Sequence, residues 1–145
     1  MINANYKKRF YDKLIDWVSD VYQPAANLII TGDFNIAPEA CDVFDVDRFE
    51  NVPTYHPEEH KRWTRLLEWG LEDIGRDHIP QGMYTFWDYR AGSFQRNLGM
   101  RIDHFLGTKT MKQRTVSAQV IRDFRKKKDG LKASDHAPVE LVLKD

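Results

Sequence analysis

Four places in this 145-residue chain set acidic or hydrogen-bonding side chains at the end or start of an apolar run. Asp33 and Asn35 stand two apart in "GDFN", directly after "NLIIT". On a strand they would share one face while Phe34 points into the core. Asp103 interrupts "MRIDHFL", among Met100, Ile102, Phe105 and Leu106, and Asp135 and His136 precede "APVELVL". Asn97 lies in the basic stretch "YRAGSFQRNLGMR". These residue types suit hydrolysis of a phosphodiester, which needs a group to orient water, donors for the phosphoryl oxygens and, as a rule, a divalent metal on carboxylates. Asp33 can orient the water, Asn35, Asn97 and His136 can donate to phosphate, and Asp103 can fix one tautomer of the His136 imidazole. Each signal also has a plainer reading. "GD" after a strand commonly makes a turn closed by an Asx hydrogen bond, and "DH" before a strand commonly caps it or pairs at the surface. Asp103 resists such a reading, because an unpaired buried carboxylate is costly.

The elements that must position these residues follow from periodicity. Asn3 or Asn5 caps a helix whose Tyr6, Phe10, Leu14, Trp17, Val18 and Val21 recur at three- and four-residue spacing and make one apolar face, ending before Pro24. "NLIITG" reads as a strand covered on both faces. Residues 37–55 read as loop, with a turn of helix around Glu39 to Asp42. Pro57 opens a second helix that turns Trp63, Leu66 and Leu67 inward and ends at Gly70. "MYTFWDY", "RIDHFLGT", "RTVSAQVI" and "APVELVL" read as strands. No repeat and no Ser/Gly/Pro linker divides the chain, so residues 1–145 are expected to form a single α/β domain.

Composition narrows the class of protein. No segment reaches the roughly 18 apolar residues of a membrane span, and the N-terminus lacks the apolar core of a signal peptide. The single cysteine, Cys41, cannot close an internal disulfide. A cytoplasmic protein with no membrane partner is the expectation. Net charge is zero, 22 Lys and Arg against 22 Asp and Glu, so any anionic partner must be met by local charge. Arg90, Arg96 and Arg101 lie among aromatics and Asn with no acid between them, a pattern suited to phosphate, whereas Arg125-Lys126-Lys127-Lys128 reads as a solvated loop.

Taken in order, "GDFN" at 32–35, "TFWDYR" at 85–90, "RNLGMRIDHFL" at 96–106 and "SDHAPV" at 134–139 resemble the successive C-terminal motifs of the exodeoxyribonuclease III type of abasic-site endonuclease, in the endonuclease/exonuclease/phosphatase superfamily. "GDFN" and "SDH" alone suit any member of that superfamily, while "TFWDYR" with "RNLGMRID" points to its DNA-repair branch. The resemblance implies an α/β (α+β) fold. That fold is half of a four-layer DNase I-like sandwich, one mainly antiparallel or mixed sheet with helices on one face. It implies that Asp33 activates water, Asn35 contacts the scissile phosphate, and His136, partnered by Asp103, stabilises charge on a phosphoryl oxygen. Phe86, Trp87, Met100 and Ile102 match the region that forms the family's apolar pocket for a base-less sugar, Arg90, Asn97 and Arg101 match its substrate contacts, and Asp135 lies toward a metal position. The implied cofactor is Mg²⁺ or Mn²⁺ and the implied partner is double-stranded DNA with abasic sites. An abasic nucleotide has lost its stacking, so extruding it into a small pocket costs less than extruding an intact one.

The resemblance begins near the family's midpoint. The strand with a catalytic Asn, the metal-binding Glu and the Tyr near the phosphate have no counterpart here, which puts metal binding by the isolated chain in doubt. A lone half would leave apolar sheet surface wet, and large apolar patches usually mark interfaces. A homodimer is the leading expectation, with a separate N-terminal half as the other. The alternatives to an active phosphodiesterase are a non-catalytic DNA-binding or assembly module and an inactive fragment.

Overall fold

The computed structural model describes residues 3–145. Asn3 caps the first helix, its side chain accepting the Asn5 N–H at 2.8 Å, and α1 runs Ala4–Val21. Its buried face is not the expected one. Lys7, Tyr11 and Val18 are buried, with Leu14 and Ile15 partly so, while Tyr6, Phe10, Trp17 and Val21 are exposed. The helix carries two neighbouring apolar stripes, and a lysine sits in the one that packs inward. Lys7 tolerates burial because its Nζ is fully partnered, donating to Asn35 O at 2.6 Å and Pro53 O at 3.1 Å and pairing with Glu59 at 2.9 Å. Tyr11 adds a hydroxyl bond to Phe34 O.

β1 (Ile29–Asp33) follows, then a 3₁₀ turn over Ala40–Asp42, where a turn was expected, and two helices, α2 (Val46–Phe49) and α3 (Pro57–Trp69). The His56 ring caps α3 by accepting the Glu58 N–H, and Gly70, at φ 129°, ends it. Trp63 and Leu66 turn inward as expected, whereas Leu67 is partly exposed. The remaining elements are β2 (Leu71–Asp73), β3 (Phe86–Trp87), β4 (Gly99–Met100), β5 (Asp103–Thr108), α4 (Lys109–Arg114), β6 (Thr115–Val120), a second 3₁₀ turn over Arg122–Arg125 and β7 (Val139–Leu143).

Every pairing is antiparallel, but the expected single sheet is divided into three hydrogen-bonded groups, β1-β5-β2, β3-β4 and β6-β7. The break falls inside "GMRID". Thr85 Oγ1 accepts the N–H groups of both Ile102 and Asp103, at 3.0 and 3.2 Å, so a side chain replaces the ladder there and β4 parts from β5. Gly99 permits the tight β3-β4 crossing, since a Cβ on it would stand 2.6 Å from Trp87 Nε1 and 2.7 Å from Phe86 O.

The central group lies between two cores. On the helical side Tyr11, Val18, Phe34, Trp63, Leu66 and Leu106 pack together. On the other side Ile74, Tyr84, Trp87, Phe105, Ala118 and Val120 join β3, β6 and their loops. Leu106 and Phe105 face opposite ways, as do Ile30 and Ile29. β1 is therefore covered on both faces at its start only. Thr31, Gly32 and Asp33 are exposed, so the strand ends bare at Asp33. The mixed α/β architecture, with antiparallel sheets and helices α1 and α3 on one face, agrees with the expected fold class.

Candidate active site

Strand register brings the first two carboxylates together. Asp33, the last residue of β1, lies opposite Asp103, the first of β5. His136 arrives from a different direction, bridged to Phe86, while its neighbours are pinned by Trp87 N–H to Asp135 O at 3.0 Å and Ala137 N–H to Thr85 O at 2.8 Å. The imidazole Nδ1–H donates to Asp103 Oδ2 at 2.8 Å, leaving Nε2 aimed at Asp33 Oδ2 across 3.7 Å. That gap exceeds a hydrogen bond, so Nε2 keeps its hydrogen-bonding capacity.

The electrostatics follow from this arrangement. The Asp103 hydrogen bond raises the His136 pKa above its ordinary value against the opposing effect of burial, and Asp33 adds to the rise. Burial raises the Asp33 carboxyl, and the negative charge of Asp103 adds to it. The other histidine on β5, His104, is fully buried between Phe34 and Trp63, bonded to Ile36 O, and pushed down to about 4, which keeps it neutral and out of the site.

Asn35 reaches the same place by another route than strand alternation. The strand stops at Asp33, and Asn35 takes a left-handed conformation at φ 54° with its N–H donating to Asp33 Oδ1 at 2.8 Å. The plainer Asx-turn reading of "GD" is thus realised, and the turn itself delivers Asn35 to the cleft. Lys7 fixes it by bonding its carbonyl.

A cleft of about 420 Å³ opens beside these groups. Asp33, Asn35 and His136 give it a polar side, and Phe86, Met100 and Ile102 an apolar one. Phe49, Val52, Pro53 and Thr54 close the apolar side. Nothing in their sequence marked them, because residues 37–55 carry no periodic pattern, and Lys7 was hidden among Lys8 and Arg9.

Other expected contacts lie elsewhere. Trp87 is wholly buried in the second core. Its Nε1–H donates to Asn97 Oδ1 at 3.0 Å while Asn97 Nδ2 donates to Gly82 O at 3.1 Å, so both ends of the Asn97 amide are occupied. Arg101 is buried between the two cleft residues Met100 and Ile102 and points the opposite way, into a bidentate pair with Asp73 at 2.9 and 2.8 Å. Arg101 is therefore not free to reach phosphate, whereas Asn97 is exposed and keeps a second amide N–H. Arg90 is exposed and pairs with Asp88 on the cleft rim. Asp135 stands 4.0 Å from His136 Nε2 and outside the closest acidic group.

Residues 2–136 match the model of the endonuclease/exonuclease/phosphatase family. The chain belongs to that family. It is 33% identical over 141 residues to an exodeoxyribonuclease III of Haemophilus influenzae, covering 92% of this chain and 52% of the relative, and 30% identical to an exodeoxyribonuclease of Bacillus subtilis, covering 96% and 53%. Among solved structures, an AP endonuclease from Archaeoglobus fulgidus superposes with a TM-score of 0.89 at 29% identity over 97% of this chain and 55% of its own. A 3′–5′ exonuclease from Neisseria meningitidis gives 0.87 at 34% identity, covering 96% and 54%. The chain thus spans about half the length of the curated relatives it matches. No helix among the described residues is long and apolar enough to cross a membrane.

Asp33, Asp103 and His136 each offer one ligand atom within 4.8 Å of the others, an acidic group able to hold a metal. One oxygen of each carboxylate carries no hydrogen bond among the described residues, Asp33 Oδ2 and Asp103 Oδ1. One or two carboxylates are the usual protein share of a Mg²⁺ shell, the rest being water and phosphate oxygens. The donor set fits a hard divalent ion.

Proposed function

We propose that this chain carries the catalytic groups of a DNA-repair phosphodiesterase that hydrolyses the backbone at abasic sites or 3′ ends. The observation that carries this reading is the His136 imidazole held by Asp103 on one nitrogen and facing Asp33 across 3.7 Å on the other.

In this reading Asp33 accepts a proton from the attacking water, and its raised pKa makes it a better base than an exposed carboxylate. His136, whose hydrogen bond to Asp103 favours the charged imidazolium, donates from Nε2 to a phosphoryl oxygen as negative charge grows there. Asp103 holds the ring in one orientation, and Asn35, fixed by its turn and by Lys7, donates to a second phosphoryl oxygen. A Mg²⁺ or Mn²⁺ ion held through the free oxygen of Asp103 would supply charge neutralisation at the phosphate. Phe86, Met100 and Ile102 accept a sugar without a base, because an apolar pocket offers an intact base no partners for its polar edge. A homodimer is part of the proposal, supported by apolar residues left exposed on α1.

The test is incision of a duplex carrying one abasic-site analogue, with Mg²⁺ or with chelator, beside Asp33→Ala. Mg²⁺-dependent incision is expected, reduced at least about 100-fold in the variant, the usual worth of a positioned base. Equal activity in the two proteins would sink the assignment.

A further inference from the structure

The run Arg125-Lys126-Lys127-Lys128 reads from sequence as a solvated loop, and the cleft makes no use of it. Its placement says more. From Arg122 to Lys132 the chain carries six cations against two acids, Asp123 and Asp129, in a protein of zero net charge. The segment folds back on itself. Lys128 bridges to Leu131 across Asp129 and Gly130, both at positive φ (52° and 74°), the geometry of a tight hairpin turn.

The two arginines and Lys132 anchor this ribbon, and Lys126, Lys127 and Lys128 do not. Arg125 is buried and donates to Trp87 O at 3.1 Å, with its guanidinium against the Tyr89 and Phe94 rings. Arg122 stacks 4.1 Å from the Phe94 ring and donates to Phe94 O at 3.0 Å. On the return side, Tyr89 donates its hydroxyl to Ala133 O at 3.0 Å, and Lys132 Nζ lies 3.6 Å above the Tyr89 ring. Every anchor is on the segment that continues from Phe86 past the rim residue Asp88. Lys126, Lys127, Lys128 and Lys132 are all exposed, and Lys126 alone has an acidic partner, Asp123 at 2.7 Å.

We propose that residues 122–132 form a basic ribbon that grips backbone phosphates of duplex DNA beside the cleft. This rests on the DNA reading above and gives it a specific electrostatic handle. Reach is adequate. Four residues from Lys132 to His136 span at most roughly 14 Å of extended chain, about four base pairs along a duplex axis. The ribbon is held at both ends to the strand that positions His136, so phosphate captured by its lysines would set duplex register relative to the site. An anionic lipid surface is the competing partner, because Phe124 and Leu131 are exposed among the lysines. DNA is favoured because the charge is tied to the rim of the cleft.

The experiment compares wild type with the threefold variant Lys126→Gln, Lys127→Gln and Lys128→Gln. Binding to an undamaged duplex is followed by anisotropy between about 50 and 200 mM salt, the range over which phosphate contacts are lost. The slope of log K against log salt should become shallower by about 3 in the variant, near 0.9 for each phosphate contact removed. Thermal midpoints of the two proteins should agree, since all three lysines are exposed. Wild type that binds with a slope unchanged in the variant would overturn the ribbon and leave the active-site reading intact. Lysine-dependent binding to phosphatidylserine vesicles, with that unchanged duplex slope, would reassign the ribbon to lipid. Wild type that binds no duplex at the lowest salt would overturn the DNA reading on which the inference rests.

Discussion

Asp103 and Asp33 hold the two nitrogens of His136 unequally, one at hydrogen-bond distance and the other across a gap, and the difference can be titrated. Because the folded pKa of His136 is raised, its charged form stabilises the fold fully below the unfolded value of about 6.5, and this stability is lost as pH climbs through the folded value. In metal-free protein, Asp103→Asn should lower the His136 pKa seen by NMR and flatten the decline of stability across that window. An unchanged imidazole titration would show that Asp103 does not hold the ring in solution. Met100 borders both the cleft and the small core of Ala37, Val43 and Ile102, so Met100→Ala should cost about 2 kcal/mol of stability and weaken preference for an abasic over an intact duplex. Equal preference in variant and wild type would place the pocket elsewhere. Asp33, Asn35, Asp103 and His136 were legible because polar groups at the ends of apolar runs are conspicuous. Arg101 misled for a physical reason: residue type gives charge and donors, but the direction of a side chain depends on a strand break that Thr85 makes from fifteen or more residues away.

At the scale of elements, the cleft is held from behind by an ionic cluster. Arg101 grips Asp73, and Arg76 grips Asp42 at 2.7 Å through both carboxylate oxygens and approaches Asp73 at 3.3 Å. Arg101 N–H also donates to Asp42 O at 2.8 Å, so the cluster joins the 3₁₀ turn, the end of β2 and the segment between β4 and β5. Burial alone would raise the Asp73 pKa, but the bond and charge of Arg101 bring it below its ordinary value. Its contribution to stability is therefore present above the unfolded carboxylate pKa and lost as pH falls through the folded one. Asp73→Ala should cost about 3 kcal/mol, because it leaves the buried Arg101 charge uncompensated. Urea denaturation should show this as a lower midpoint at unchanged slope. A shift under about 0.5 kcal/mol, the range of an ordinary surface substitution, would mean that Asp42 takes over the guanidinium. The long helices and strands were legible from period and caps. α2, α4 and β2 were not, because four-, six- and three-residue elements are too short to show a period. The buried face of α1 was misread because a partnered lysine occupies it.

At the scale of the molecule, the antiparallel α/β half-sandwich was legible because its motifs recur in a fixed order, whereas what covers its open surfaces depends on copies or chains outside the sequence. The stripe on α1 supplies an argument for a second copy. Tyr6, Phe10, Trp17 and Val21 are each about half exposed, at 59, 52, 49 and 56%, and are disposed symmetrically about the helix midpoint between Lys13 and Leu14. An antiparallel two-fold pairing of α1 with its copy would set Tyr6 against Val21 and Phe10 against Trp17 across the seam. The exposed charges beside the stripe are Arg9 and Lys13 in the first half and Asp16 and Asp20 in the second. The same pairing brings Arg9 toward Asp20 and Lys13 toward Asp16 of the copy, so the surface is complementary to itself. One helix stripe is less than the roughly 800 Å² per partner of a standard stable interface, which makes the expected dimer weak and concentration-dependent. Sedimentation equilibrium should show mass rising with protein concentration, less so at high salt. Phe10→Glu with Trp17→Glu, both at exposed positions, should return the protein to a monomer without lowering its thermal midpoint. A monomer at every concentration in wild type would remove the dimer, and a dimer unaffected by the double variant would move the contact to another surface, with the open edge of the β6-β7 pair, where Val116 and Val142 are exposed, as the next place to test.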